Sequence, residues 1–576
     1  MPESSRIKFL FVHALKGFSL AYWCLRGAAE CNRMPIDWKC MNYVPGEMES
    51  QEAFRRALVS WEPDFVGYSC HFWSIEAFIE AARWAKILLP RARTVFGGPQ
   101  VCSNTVANHI LRTHEQIDFV IRGAGEQPLL NLLAAGSAQN LDGVPSLSFR
   151  QKGGVMHNVL LGNPKWTRGP LFTADNPELG KELSNLFVAS YETLRGCRNR
   201  CSFCQNASGQ LSLLDADLVE DELAYLCGFQ IPHLRICDSH FAGSAERAKR
   251  IFRCLSRVNR GSSIKISPDL EHVDLEYLSL AREANASMTS IGLQTATPKA
   301  LRAIERRGVD DSIQKLELLL QYFPETPVDL IVGLPGDDLD GLKNTSKRVL
   351  DLGFGNVNVF RLAALPGTKI FENLPQSLGG GCPLLASTGE ILHSEAFPVS
   401  QSGDVAKLVH ALNIAATLRR TRKALDGEPH ILDRLLAINS MEIYEIHETM
   451  LHSGPGRFFA DFGVILERLV NAISKEPKMV DSITIDLVHL LFESCRQKHI
   501  DCIIHVISGK PSPVMHLVVL LHNSRSMVVD LASPKLEEYN GIPSQDDLDL
   551  PGTAVIDVDG LLQNGAVPGM ISPEIG

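Results

Sequence analysis

Through the first 136 residues short apolar runs alternate with stretches of helical spacing. Strand-like runs at 7–12, 38–44, 65–70, 94–98 and 119–122 each lead into a helical period, at 18–31, 49–61, 75–89, 105–114 and 127–134. Buried strands each followed by a helix predict a doubly wound parallel sheet. Ligands of such sheets sit beyond the carboxyl ends of the strands. The loops there read VHALKG, YSCHFWS, FGGPQV and RGAGEQP. Gly97-Gly98 and Gly123-Ala124-Gly125 let a ligand approach the backbone closely, and Glu126 caps the next helix or holds a ligand hydroxyl.

Residues 137–185 read as a connector. Runs at 146–150 and 155–160 flank Lys152-Gly153-Gly154, a hairpin signal, and Pro, Gly and Asn cluster as far as Asn176. A second alternation follows. Helical periods at 215–227, 246–258, 277–284, 298–305 and 341–352 interleave with strand runs at 234–237, 264–267, 289–294, 328–332 and 356–362. This second alternation suits a partial parallel barrel, with its site at the carboxyl ends of the strands. The loops there include IGLQT, VGLPGD and, at 365–368, LPGT. From 375 onward LGGGCP at 378–383 reads as a flexible join. Amphipathic helices are expected at 405–425, 458–474 and 480–497, and antiparallel strands at 502–508, 516–522 and 527–532. This last part is an α+β domain, either a cap over the barrel mouth or a stability element. The expected domains are therefore 1–136, 137–185, 186–374 and 375–576.

The stretch 191–208, YETLRGCRNRCSFCQNAS, changes the picture most. Cys197, Cys201 and Cys204 are spaced C-x3-C-x2-C. Three thiolates so placed hold three irons of a four-iron cubane and leave the fourth open to chelation. A zinc knuckle wants four ligands in a closed tetrahedron, and neither Cys227 nor Cys237 stands at a knuckle spacing. Composition adds little beyond exclusions. The chain has 576 residues, 45% hydrophobic and 21% charged, with a formal charge of −10 that argues against a broad nucleic-acid footprint. Fourteen cysteines in no regular framework suit a reducing cytosol. The N-terminal run FLFVHAL is too short for a signal peptide and no stretch approaches a membrane span, so a cytoplasmic location is expected.

The cysteine triplet, with the IGLQT, GLPGD and LPGT loops behind it, resembles the radical SAM superfamily. The glycine loops of 6–136, with VGYSCHFWS and DFVIRGAGE, resemble the cobalamin-binding domain that precedes such barrels. The resemblance implies a Rossmann-like cobalamin-binding domain, a partial (β/α)6 radical SAM barrel and three cofactors: a [4Fe-4S] cluster, S-adenosylmethionine (SAM) and cobalamin. It implies Phe203, Asp238, Gln294, Arg306, Gly333, Pro335 and Pro366 near SAM. It places Ser69, His71, Trp73, Gly97, Gly98, Gly123, Gly125 and Glu126 near cobalamin. The first loop lacks the D-x-H-x-x-G in which other cobalamin domains keep the cobalt ligand, so the corrin's lower face is expected to meet His71 or be shielded by Phe72 or Trp73. The string does occur at Asp238–Gly243, after a barrel strand, and reads there as coincidence.

The implied activity is transfer of a methyl group from SAM, through methylcobalamin, to a carbon of a peptide, amino acid or other natural product. An electron donor of flavodoxin or ferredoxin type is implied as partner, with no nucleic acid and no membrane. The rivals are a cobalamin-dependent radical SAM cyclase or rearrangement enzyme, a methylthiotransferase acting on RNA, and a corrinoid or zinc carrier. Acidic charge and the Gly-Gly loops speak against the methylthiotransferase.

Overall fold

The computed structural model describes residues 6–14, 17–135, 141–162, 169–307, 313–374, 384–385, 389–419, shorter stretches of 431–447, and five strands between 502 and 555. The chain divides into two compact units. One comprises 1–345 and 358–400, the other 346–357 and 401–576.

The first unit opens with the predicted sheet. Strands β1 (Ile7–His13), β2 (Ile36–Asn42), β3 (Phe65–Ser69), β4 (Arg93–Gly97) and β5 (Phe119–Ile121) stand in the order 2-1-3-4-5 and pair in parallel. That order reverses direction between β1 and β3, the switch point at which doubly wound sheets bind ligands. Helices α1 (Leu20–Cys31), α2 (Met48–Trp61), α3 (Ile75–Leu88), α4 (Asn104–Thr113) and α5 (Glu126–Ala135) connect the strands. Ser19 and Ser103 start α1 and α4 by accepting from the Tyr22 and Val106 amides, as N-caps do. Val12, Tyr43, Phe54, Val66, Phe78 and Phe96 form a core on one face of this sheet, each contributing about 2 kcal/mol through burial. Helices α1 and α5 pack together.

The connector hairpin forms, but as part of this sheet. Strands β6 (Leu147–Gln151) and β7 (Gly154–His157) add antiparallel beside β5. Apolar Leu147 and Phe149 are buried there, so a run read as a linker covers a sheet edge.

After α6 (Pro177–Leu183) come β8 (Val188–Tyr191), β9 (Leu194–Cys197) and β10 (Gln210–Leu213), the last two an antiparallel pair that brackets the cysteine loop. Strands β11 (His233–Ile236), β12 (Ser263–Ile266) and β13 (Ala286–Met288) align parallel with β8 in the order 13-12-11-8. A further sheet holds β14 (Ile291–Gln294), β15 (Val328–Val332) and β16 (Val357–Arg361). Helices α7 (Ala216–Cys227), α8 (Ala245–Val258), α9 (Leu275–Glu283), α10 (Pro298–Ala303), α11 (Ile313–Tyr322) and α12 (Leu339–Asp351) alternate with the strands. The strand expected at 289–294 is β14, and the short strand β13 just before it was not expected. Thr289 donates its amide to Ile266 of β12 and Ile291 donates to Pro327, so the chain changes neighbours at Ser290.

In the second unit a helix at Ser402–Arg419 covers the described part of the first amphipathic period. Strands Cys502–Gly509, Val514–Leu521 and Arg525–Asp530 pair antiparallel as expected, joined by Leu536–Asn540 and Thr553–Val555. The helices expected at 458–474 and 480–497 and the join at 378–383 lie outside the described residues. No helix among the described residues is long and apolar enough to cross a membrane.

Candidate functional site

The cysteine loop is held from several sides. Asp238, at the end of β11, is buried, and its carboxylate accepts from the Thr193 amide (2.7 Å) and hydroxyl (2.6 Å), the Leu194 amide (3.1 Å) and the Ala242 amide (3.1 Å). Asp238 is expected near SAM, and in the structure these internal donors occupy both its oxygens. The Ser202 amide donates to the Ile304 carbonyl at the end of α10, and the Ile370 amide donates to Ser202. Phe203 packs against Ala300, Ile304, Leu334 and Leu362, which ties the loop to the GLPGD turn.

The thiols sit among donors. Cys197 accepts from the Asn199 amide (3.4 Å), and His240 lies within hydrogen-bonding reach of it. Burial pushes the Cys197 thiol up, but His240, the Asn199 amide and Arg306 outweigh it and bring it below the ordinary thiol value. His240 is raised to about 9, first by its hydrogen bond to Asp269, 3.2 Å away, and then by that to Cys197. Burial raises Asp269, but His240 and His272 hold it well below the carboxylate range. Arg198 donates to Asp269 at 2.9 Å. Cys201 accepts from Arg306 Nη1 at 3.4 Å. Cys204 lies near enough to the other two to feel their charge, and burial raises it. Cys197, Cys201 and Cys204 are free thiols. Three thiols in one loop, with cationic and amide donors on two of them, suit a cluster that carries net negative charge on its sulfurs.

Asp238 and His240, the first and third residues of the D-x-H-x-x-G string, therefore fasten and flank the cysteine loop. Its placement outside the N-terminal sheet is as expected; the loop contacts could not be read from spacing.

A cavity of about 490 Å³ opens between the strand ends of the N-terminal sheet and the cysteine loop. Ser69, Gly97, Gly98, Gly123, Gly125 and Glu126 line it, so six of the residues expected near cobalamin meet in one place. At Gly98, φ is +100°, and a β-carbon would stand 2.7 Å from the Cys70 carbonyl oxygen. Only glycine lets the chain turn there. His71 and Trp73 are not among the lining residues. Their rings stack on each other at 4.5 Å, Trp73 is 48% exposed, and burial lowers His71 below the ordinary imidazole value. Cys70, just before them, is fully buried.

Several lining residues carried no signal in the sequence. Arg195 reaches back to Glu126 at 2.7 Å and to Glu192 at 3.0 Å. Burial pushes the Glu192 carboxyl up to about 7 against the pull of Arg195. Gln205, next after Cys204, donates to the Pro99 carbonyl (2.9 Å) and to the Pro366 carbonyl (2.8 Å). Cys102 also donates to Pro366, at 3.0 Å. Pro366, expected near SAM, thus has its carbonyl engaged within the protein. Cys237 is exposed and lines the cavity, not buried as a barrel-strand end suggests. Gln294 ends β14 with φ +69°, and its amide lies over Gly292 beside Arg306. Gly333 and Pro335 stand in the turn after β15, where Leu334 joins the packing around Phe203.

Residues 191–349, which carry the cysteine triplet and the parallel strands behind it, match the family model of the Radical SAM superfamily. The chain is similar to the cobalamin-dependent radical SAM methyltransferase TokK of Streptomyces tokunonensis, at 26% identity over 55% of this chain and 49% of that one. It is similar also to the 2-(S-pantetheinyl)-carbapenam-3-carboxylate methyltransferase of Streptantibioticus cattleyicolor, at 25% over 55% and 49%. The chain spans about half the length of these relatives. Among solved structures it shares its fold with OxsB, a cobalamin-dependent S-adenosylmethionine radical enzyme, at TM-score 0.58 and 14% identity, covering 86% of this chain and 80% of that one. It also shares its fold with the radical S-adenosylmethionine methyltransferase TsrM of Kitasatospora setae, at TM-score 0.51 and 16% identity, covering 63% and 75%.

Proposed function

We propose that the chain is a cobalamin-dependent radical SAM enzyme that moves a methyl group from SAM to a carbon of a small-molecule or peptide substrate. The observation that carries this reading is the shared cavity, walled on one side by the glycine loops of a doubly wound sheet and on the other by the residues around Cys197, Cys201 and Cys204. When bound, the three cofactors supply an electron, a radical and a methyl group. The protein's own part is to hold and orient. Cys197, Cys201 and Cys204 would ligate the cluster, and Asp238 and Ser202 hold their loop in place. Gly97, Gly98, Gly123 and Gly125 leave room for a broad flat ligand against the backbone. Glu126, Arg195 and Glu192 place a charged patch on the wall. On this reading residues 1–136 with the β6–β7 hairpin form the cobalamin domain, 186–374 the arc of a partial (β/α)6 barrel, and 375–576 a separate α+β part. A one-electron donor of flavodoxin or ferredoxin type would serve as partner in the cytoplasm.

The test is anaerobic purification with metal and corrin quantified. About four irons and one corrin per chain are expected. Replacing all three loop cysteines with alanine is expected to remove the iron and abolish SAM cleavage while corrin binding survives. Eight irons without corrin would indicate a methylthiotransferase instead. Near-full iron in the triple variant refutes the ligand assignment.

A further inference from the structure

Arg306 stands where the sequence alone suggests an arginine at a helix end. Helix α10 stops at Ala303, Glu305 adopts φ +53°, and the Arg306 amide returns to the Leu301 carbonyl at 2.9 Å. A left-handed residue at a helix end followed by this backward bond is a helix stop. It turns the next side chain back over the end of the helix. That end is itself fixed to the cysteine loop, because the Ser202 amide donates to Ile304 at 3.0 Å. The guanidinium is therefore delivered to the neighbouring thiol. Nη1 donates to Cys201 Sγ at 3.4 Å, and Nη2 donates to the Gly292 carbonyl of β14. A β-carbon at Gly292 would stand 3.2 Å from Nη2 and 2.5 Å from the Gln294 amide nitrogen, so glycine there leaves the slot in which both side chains lie.

We propose that Arg306 is a positioning residue that sets the reduction potential of the cluster by donating a charged hydrogen bond to the Cys201 sulfur. This inference rests on the functional reading above. Reduction adds one negative charge to a cluster, and a fixed cation beside a ligating sulfur favours the reduced form. The planar fork holds two acceptors at fixed directions. Engaging the β14 carbonyl with one arm therefore aims the other at the sulfur.

The experiment is a reductive titration of the reconstituted cluster, followed by electron paramagnetic resonance without SAM, in the unmutated protein and in Arg306→Lys, Arg306→Gln and Arg306→Met. Iron content is measured in parallel. With iron content unchanged, the potential is expected to fall in the order unmutated, Lys, then Gln and Met. At a fixed poise the ratio of reduced to oxidised cluster in the Met variant should drop about tenfold, equivalent to 59 mV for a one-electron couple. Should the Met variant load no iron, Arg306→Gln decides, since it keeps an N–H donor and loses the charge. A potential equal to that of the unmutated protein in the variants that load iron overturns the inference, and weakened SAM binding at unchanged potential does so in favour of a SAM contact. Failure of the unmutated protein to take up a cluster at all would overturn the functional reading instead.

Discussion

Replacing Asp238 with alanine removes the acceptor for three backbone amides and one hydroxyl at the start of the cysteine loop. Asp238 is 2% exposed, so water cannot simply take the place of the carboxylate. A buried donor left unpartnered costs about 1–3 kcal/mol. Three amides then cost roughly 3–9 kcal/mol, reduced to about 4 kcal/mol if a water enters the space left by the side chain. That is a large part of the 5–15 kcal/mol typical of a domain. In Asp238→Asn one oxygen remains for Thr193 and Leu194, the Thr193 hydroxyl can rotate, and chiefly the Ala242 amide loses its acceptor, at about 2 kcal/mol. Denaturant unfolding of the iron-free protein and iron content after reconstitution measure both consequences. The alanine variant is expected to be the less stable and to lose most of its iron, and the asparagine variant to keep most of it. An alanine variant that unfolds with the unmutated protein and loads full iron refutes the buttress. Selective loss of SAM affinity in Asp238→Asn, with stability intact, would place Asp238 at the SAM site.

Two further predictions concern the N-terminal sheet. His13 is buried, has no hydrogen-bond partner at Nδ1 among the described residues, and is lowered by burial from 6.5 to about 4. Its folded value lies below the unfolded one, so the folded state resists protonation and stability falls as pH drops from about 6.5 toward 4. At pH 5 the loss is about 2 kcal/mol relative to pH 8. His13→Leu should flatten this part of the stability–pH profile, and an unchanged slope would count against the buried neutral imidazole. Gly98→Ala places a β-carbon against the Cys70 backbone at φ +100°, a conformation that costs about 1–3 kcal/mol for other residues. Corrin loading is expected to fall severalfold with iron unaffected, and equal loading refutes the close-approach argument.

Periodicity made the N-terminal sheet legible because buried strands and one-faced helices differ in repeat, and each strand there leads straight into its helix. The cysteine spacing was equally open to reading, since ligands a few residues apart need no knowledge of the fold. What escaped depends on where long side chains point and on partners distant in sequence. Arg195 meets Glu126 across the cavity, and nothing in LRGC signals it. The rings of His71 and Trp73 stack on each other and are not among the residues that line the cavity, a pairing that the string SCHFWS does not signal. The short strand β13 was hidden because ASM carries no strand period of its own; only its pairing with β12, and the change of neighbour at Ser290 to β15, mark it off from β14. The β6–β7 hairpin was recognised as a hairpin, but edge pairing is a property of the sheet that receives it.

The Gln205 amide has two N–H groups, and each bonds a carbonyl of a different loop, Pro99 from the first sheet and Pro366 from the turn after β16. One side chain therefore gauges the gap between two halves of the unit. An inserted residue in either loop shifts its carbonyl by about 3.3 Å when extended, more than the tolerance of a hydrogen bond. The halves are thus not interchangeable parts. A chimaera that takes its sheet from one ancestor and its strands from another inherits a mismatched joint unless the residues at 99, 205 and 366 travel as a set, and in evolution the three should drift together.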